Sequence, residues 1–399
     1  MKTPFITVGP DRADIVGSDN RALQAAVDYI SALGGGTVEI LAGRYLMRNA
    51  LHLRSHITLR GQGDTTILYK ADAAESPLLL DGDFGEEQIT LQDPSGFEVG
   101  YGVSITDDRN GGFHTAVGTL IWQDENTFGV TVPMGGDYLV SNHARAATTF
   151  PVISGYHIEN ARVENVTVDG NKANNPMLNG CRGAGIFLYR GHHTTFSGCR
   201  VVNYHGDGIS FQQSQHVTVE NCTCIGNTHL GLHPGSGSQH PTIRGCHSED
   251  NGRIGLFLCW RVKHGVFENN TLVRNGETGI SIGHKDTDNH FNNNRAIANK
   301  REGILFRNES EAMAGHRNTF IENDILDNGS EEEGYGVRIL GETHDLTFTG
   351  NRIGNTDSGN QKIGVFIGEK ADRIHLKAND LSGNIRCEIE DARKAAKPI

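Results

Sequence analysis

The sequence predicts an all-β solenoid, a right-handed parallel β-helix with an N-terminal capping helix and an antiparallel β insertion, on three observations. Glycine recurs at Gly185, Gly208, Gly231, Gly255, Gly279 and Gly303, each followed by an aliphatic residue, with looser coils at Gly336 and Gly364. A second register runs Phe196, Val219, Ile243, Phe267, Phe291, Phe320, Phe348 and Leu376, each three residues ahead of Cys199, Cys222, Cys246, Asn270, Asn294, Asn323, Asn351 and Asn379. A third column, Asn227, Asn251, Asn275 and Asn299, lies four residues before the glycines, where stacked amides can hydrogen-bond along the axis. Leucine-rich repeats share a similar period but require a Leu-x-x-Leu-x-Leu pattern that these coils lack.

Each element follows from local pattern. Leu23, Ala26, Val27, Ile30 and Leu33 share one helical face, with Ser18 or Asp19 as N-cap and Gly34 to Gly36 as the stop, so one amphipathic helix caps the open end of the coils. First-coil strands follow over 37–45 and 51–61. From 75 to 150 the period breaks into alternating strands such as 102–106, 119–122 and 129–132 between Gly, Asp and Asn turns, which reads as an antiparallel insertion. The expected organisation is therefore 1–74 for the cap and first coils, 75–150 for the insertion and 151–399 for the main β-helix. Period-two alternation aims Ile209, Leu232, Leu256, Ile280 and Ile304 inward and Ser210, His233, Phe257, Ser281 and Leu305 outward. The 51 glycines fit a chain of tight turns, and the low apolar fraction of 36% fits thin coils.

Composition narrows the partners. A net charge of -12 argues against nucleic acid, whose phosphates are bound by clustered Lys and Arg. The seven cysteines are odd in number and form no Cys-x-x-Cys pair; three of them fall in one inward column as small fillers, which fits a reducing compartment. No apolar run has the length of a signal peptide core or a membrane span, so the expectation is a cytoplasmic protein without a membrane partner.

Residues 34–38, Gly-Gly-Gly-Thr-Val, and 42–45, Ala-Gly-Arg-Tyr, after a helix, make the chain resemble the pectate-lyase-like superfamily of carbohydrate-active β-helix proteins. That resemblance covers nearly the whole chain and implies the fold rather than a reaction, because the superfamily hosts lyases, hydrolases, epimerases, transferases and adhesins.

Chemistry on such a scaffold is assembled across coils, since outward positions of successive coils lie about 4.8 Å apart. Following the glycines by two to seven residues brings together Tyr189, Arg190, Gln212, Ser236, Trp260, Arg261, Asn308 and Arg338 as substrate-binding candidates around a face rich in Arg, Lys, His and aromatic groups. Leu230 to Ser238, Leu-Gly-Leu-His-Pro-Gly-Ser-Gly-Ser, breaks the strand pattern with proline and glycines and reads as a binding loop. It is similar to the Tyr-Gly-Phe-Asp-Pro-His segment of alginate C5-epimerases, but His233 stands where that family has its catalytic Asp and Gly235 where it has His.

Residues 277–288 with Phe306 to Glu309 are similar to β-helix alginate and dermatan lyases, in which a Lys and an Arg on adjacent coils act together. The resemblance implies β-elimination from a uronate-containing oligo- or polysaccharide. Lys285 would be the base, Arg307 the neutraliser or acid, and His233 or His284 the proton partner. It also implies Ca2+ as a possible cofactor, with Asp286 and Asp288 as ligand candidates.

The alternative is a glycoside hydrolase or a fructo/glycosyl-transferase using a carboxylate pair drawn from Asp207, Asp286, Asp288, Glu302 and Glu309. His205 to Gly208, His-Gly-Asp-Gly, is similar to the Asp-Gly turns of polygalacturonases, without their Asp-Asp and Gly-His-Gly motifs. Further alternatives are a C5-epimerase and a non-catalytic glycan-binding β-helix using Tyr189, Phe257 and Trp260 as platforms.

Overall fold

The computed structural model describes residues 4–356 and 359–394. It divides into two compact units, residues 1–188 with 200–210 and residues 189–199 with 211–399.

In the first unit the helix is Asn20–Ala32, and Asp19 is its N-cap, accepting from the backbone N–H groups of Arg21 and Ala22. Leu23, Ala26, Val27 and Ile30 are fully buried, so the apolar face is spent covering the first strands rather than solvent. Those strands are parallel: Phe5–Gly9 pairs with Gly36–Ile40, which pairs with Ile57–Lys70, and that long strand pairs with Arg162–Asp169. A second parallel pair joins Leu51–His52 to Ile153–Glu159.

The period-breaking stretch forms a six-stranded antiparallel sheet, in spatial order Glu75–Pro77, Arg145–Ala147, Gly102–Thr106, Ala116–Asp124, Thr127–Val130 and Gln88–Thr90. It has a core of its own, in which Leu78, Ile89, Leu91, Ile105, Leu120, Phe128 and Tyr138 are buried together.

The second unit is coiled throughout, and its registers are those of the sequence columns. Leu232, Leu256, Ile280, Ile304, Val337 and Val365 are paired in order across parallel strands. So are Phe196, Val219, Ile243, Phe267, Phe291, Phe320, Phe348 and Leu376. The rings of Phe267, Phe291, Phe320 and Phe348 stack at successive centroid distances of 4.7, 4.5 and 4.7 Å. Asn227, Asn251, Asn275, Asn299 and Asn328 pass side-chain hydrogen bonds of 2.9 to 3.0 Å from coil to coil. A second ladder of the same design links Asn270, Asn294, Asn323, Asn351 and Asn379.

Three features differ from the sequence reading. Each coil carries a third short strand, such as Thr223–Ile225, His247–Glu249 and Thr271–Val273, which follows the second so closely that the alternation of the two merges. The column glycines are not turn glycines. Gly231, Gly255, Gly279 and Gly303 lack a positive φ and stand where a Cβ would meet the next coil, at Gly255 the Asn275 amide at 2.8 Å and the Gly279 carbonyl at 2.9 Å. The turns fall instead to other left-handed residues, many of them Asn, Asp and His, together with glycines outside the column such as Gly226, Gly237 and Gly245. Finally, several outward positions are covered: Ser210, His233 and Ser281 are all buried, and Ser210 Oγ donates to the Gly180 carbonyl at 2.6 Å.

Candidate active site

In the second unit, the turn that follows the strand of the glycine register is left-handed in four successive coils. Gln213 (φ 50°) and Gly237 (φ 82°) hold it in two coils, and in the next two it becomes a consecutive pair, Trp260 and Arg261 (φ 59° and 66°), then His284 and Lys285 (φ 47° and 67°). Two adjacent non-glycine residues in this region cost on the order of 1–3 kcal/mol each. Backbone bonds hold the pairs in step, with Gly237 N–H donating to the Trp260 carbonyl at 2.6 Å and Arg261 N–H to the His284 carbonyl at 2.9 Å. The result is one edge on which an exposed indole and two cations project from neighbouring coils.

Their partners differ sharply. Lys285 makes no ion pair or side-chain hydrogen bond among the described residues, nor does the exposed Arg261 guanidinium, which lies 5.9 Å from the Trp260 ring. His284 packs its ring 5.1 Å from Trp260, and its Nε2 lies 2.7 Å from Glu309 Oε1. Burial and then the nearby Arg307 charge lower the pKa of His284, with Glu309 opposing. This favours the neutral ring, whose Nε2–H donates to the carboxylate.

Arg307 is placed differently from the reading that made it neutraliser or acid. Its guanidinium is turned inward, donating to Ser281 Oγ at 2.9 Å, the Leu258 carbonyl at 2.9 Å and Asp286 Oδ2 at 3.2 Å, and it lies 4.7 Å over the Phe257 ring. Asp286 is wholly buried and also accepts from Val262 N–H and Gly283 N–H; burial pushes its pKa up to about 7 against the pull of Arg307. This pair fixes the turn that carries His284 and Lys285.

Most other sequence candidates have structural tasks. Asp288 is gripped by Arg317 through two bonds of 2.7 and 3.0 Å, which hold its pKa down, so it and Asp286 face different partners and do not form a calcium cage between them. Arg338 serves the buried Glu302 at 3.1 Å and Glu333 at 3.4 Å, and Glu302 also accepts from Thr278 Oγ1. Asp207 is buried in the first unit. His233 is buried and meets the Phe257 ring edge-on at 5.3 Å.

The segment read as a binding loop is a regular strand, Leu230–Gly235, running straight through Pro234. The space a side chain at Gly235 would fill is taken by the buried Gln212 amide. Ser236 lies half-buried in the turn beyond the strand. Arg190 is exposed on the same turn column, its Nε donating to Gln213 Oε1 at 3.1 Å, with Tyr189 beneath it at 5.4 Å. Asn308 is exposed beside Arg307.

The sequence reading named His284 and Glu309 separately but missed their pairing. It also missed the left-handed pairs, for which the only signal was two coils with large residues where their predecessors have Gln or Gly. In the first unit it missed Lys70, wholly buried between the rings of Phe150 and Tyr204 at 5.0 and 4.8 Å, where burial lowers its pKa to about 7.

With this geometry in place, comparison with known proteins fixes the architecture. Residues 151–312 match the family described as right-handed β-helix region. The A-module of mannuronan C-5 epimerase AlgE4 from Azotobacter vinelandii superposes with a TM-score of 0.63 at 16% identity, covering 96% of this chain and 97% of that one. This chain is a right-handed parallel β-helix. Its fold is also similar to those of an exopolygalacturonase of Thermotoga maritima (TM-score 0.52, 15% identity, 91% and 89% covered) and of the Streptococcus pneumoniae surface protein and adhesin PfbA (0.54, 14%, 93% and 96%). No curated protein matches the chain by sequence. At these identities the β-helix is common to proteins named as epimerase, hydrolase and adhesin, so the reaction has to be argued from side chains.

Proposed function

We propose that the β-helix binds a uronate-bearing glycan along the edge of Arg190, Trp260, Arg261 and Lys285 and cleaves it by β-elimination. The observation that carries this reading is the doubled left-handed turn, which sets two cations without ion pairs beside an exposed indole on neighbouring coils. An acidic chain with a local cationic edge attracts carboxylates selectively. Two of the structural neighbours, the mannuronan epimerase and the exopolygalacturonase, are named for polyuronates, which supports the same substrate class.

The roles follow from exposure and pairing. Trp260 takes the apolar face of a sugar ring, and Arg261, one coil step or about 4.8 Å away from Lys285 along the axis, pairs with the uronate carboxylate and stabilises the charge that develops on it. Lys285 acts as base once it has given its own proton to water: the amine removes the C5 proton, the C4–O4 bond breaks as the C4–C5 double bond forms, and the ammonium so produced returns that proton to the departing O4. His284 and Glu309 hold the turn and keep an uncharged imidazole against Trp260. Arg307 acts on the position of Lys285 through Asp286, not on the substrate.

Hydrolysis would need two available carboxyl groups flanking the scissile bond. Asp286 is engaged by Arg307, Asp288 by Arg317 and Glu309 by His284. The test is a panel of acidic and neutral glycans assayed in parallel for ultraviolet absorbance of an unsaturated product and for new reducing ends. Elimination predicts both signals on uronans together, and Lys285→Met removes both. Reducing ends without the double bond would favour hydrolysis, and binding without either product would favour a glycan-binding role.

A further inference from the structure

A column of four histidines stands three residues beyond the cationic edge: His193, His216, His240 and His264, one per coil, all in the second unit. All four are exposed and left-handed, with φ between 50° and 56°. Their rings stack at centroid separations of 4.9, 4.9 and 5.1 Å and interplanar angles of 8°, 4° and 21°. Left-handed backbone alone does not ask for imidazole here. The neighbouring turn column meets the same requirement with Asn221, Gly245, Asn269 and Asn293.

The column's backbone is held in register and its middle ring is disfavoured as a cation. Each backbone position is fixed by a hydrogen bond to the next coil, His193 N–H to the Gln215 carbonyl, His216 N–H to that of Gln239 and His240 N–H to that of Lys263. The cations Lys263 and Arg261 lie on the same turns, and at the far end the column passes from His264 to Asp288, whose charge Arg317 takes up. Burial and the flanking rings of His240 and His193 lower the pKa of His216. Because the residues are exposed, rotation about the side-chain torsions can re-aim the rings at the cost of their stacking contacts. Neighbouring imidazoles about 4.8 Å apart at the backbone can thus converge on one borderline ion at metal–nitrogen distances of about 2.0–2.1 Å, with water completing the shell.

We propose that this ladder is a binding site for divalent transition ions of the nickel, copper and zinc class, each ion held by two histidines of adjacent coils, so that four histidines take two ions. The reading is independent of the reaction at Lys285.

Nickel titration calorimetry of the full chain near pH 7.5, on two double variants, tests it. His216→Asn with His240→Asn keeps residues suited to the left-handed turn and leaves His193 and His264 three coil steps, or about 14 Å, apart; the ladder's nickel binding should vanish. His193→Asn with His264→Asn keeps one adjacent pair and should still bind one ion. Circular dichroism confirms that both variants are folded. Nickel binding that is absent from the unaltered chain, or lost equally in the two variants, or retained equally, would overturn the proposal.

Discussion

Arg307 and Lys285 show how two cations on one face take opposite parts. Truncating Arg307 to Ala leaves Asp286 buried without its partner, and we expect a loss on the order of 3 kcal/mol in stability, read as a lower urea midpoint, partly recovered when Asp286→Asn is added. Lys285→Met should leave stability within about 0.5 kcal/mol, because no partner is orphaned. Lys70 gives a pH test of a different kind. Its folded pKa of about 7 lies below its ordinary value of 10.5, so the unfolded chain binds the extra proton between those two values. Stability should therefore rise as pH climbs from about 7 towards 10.5, and Lys70→Met should flatten that rise in thermal melts. Lys285 and Arg307 were legible as a pair of sequence positions one coil apart. Their division of labour was not, because it depends on Asp286 lying under the turn, and nothing in the residue types distinguishes a buried aspartate from a solvated one.

At the scale of the element, the coil was legible because its side chains repeat where backbone geometry repeats. Columns such as Phe267 to Phe348 and Asn227 to Asn299 were read correctly from spacing alone, since stacking demands the same residue type at each step. The third strand escaped notice because three-residue strands carry too little alternation to register. The reason for the column glycines was not legible either: the sequence marks a small residue but not whether φ or the neighbouring coil requires it. Gly255→Ala should separate the two explanations. It should destabilise by about 1–3 kcal/mol through the contact with Asn275 and Gly279, although its φ would suit alanine. Asn275→Ala should cost a comparable 1–3 kcal/mol, about the penalty for leaving the buried backbone N–H of Asn251 unpaired. Both are measurable by denaturant unfolding.

For the molecule as a whole, the repeat and the cap were written in the sequence, while the reaction was not, because a β-helix exposes many polar columns and only three-dimensional pairing shows which charges are already neutralised. No helix among the described residues is long and apolar enough to cross a membrane. The central claim is that the edge at Trp260, Arg261 and Lys285 eliminates across C4 and C5 of a uronate. The most direct measurement is mass spectrometry of products formed from defined uronate oligosaccharides in isotopically labelled water. Elimination predicts fragments with an unsaturated, non-reducing end that carry no oxygen from the solvent at the broken linkage, absent with Lys285→Met. Saturated fragments that incorporate solvent oxygen, or cleavage that persists without Lys285, would contradict the account.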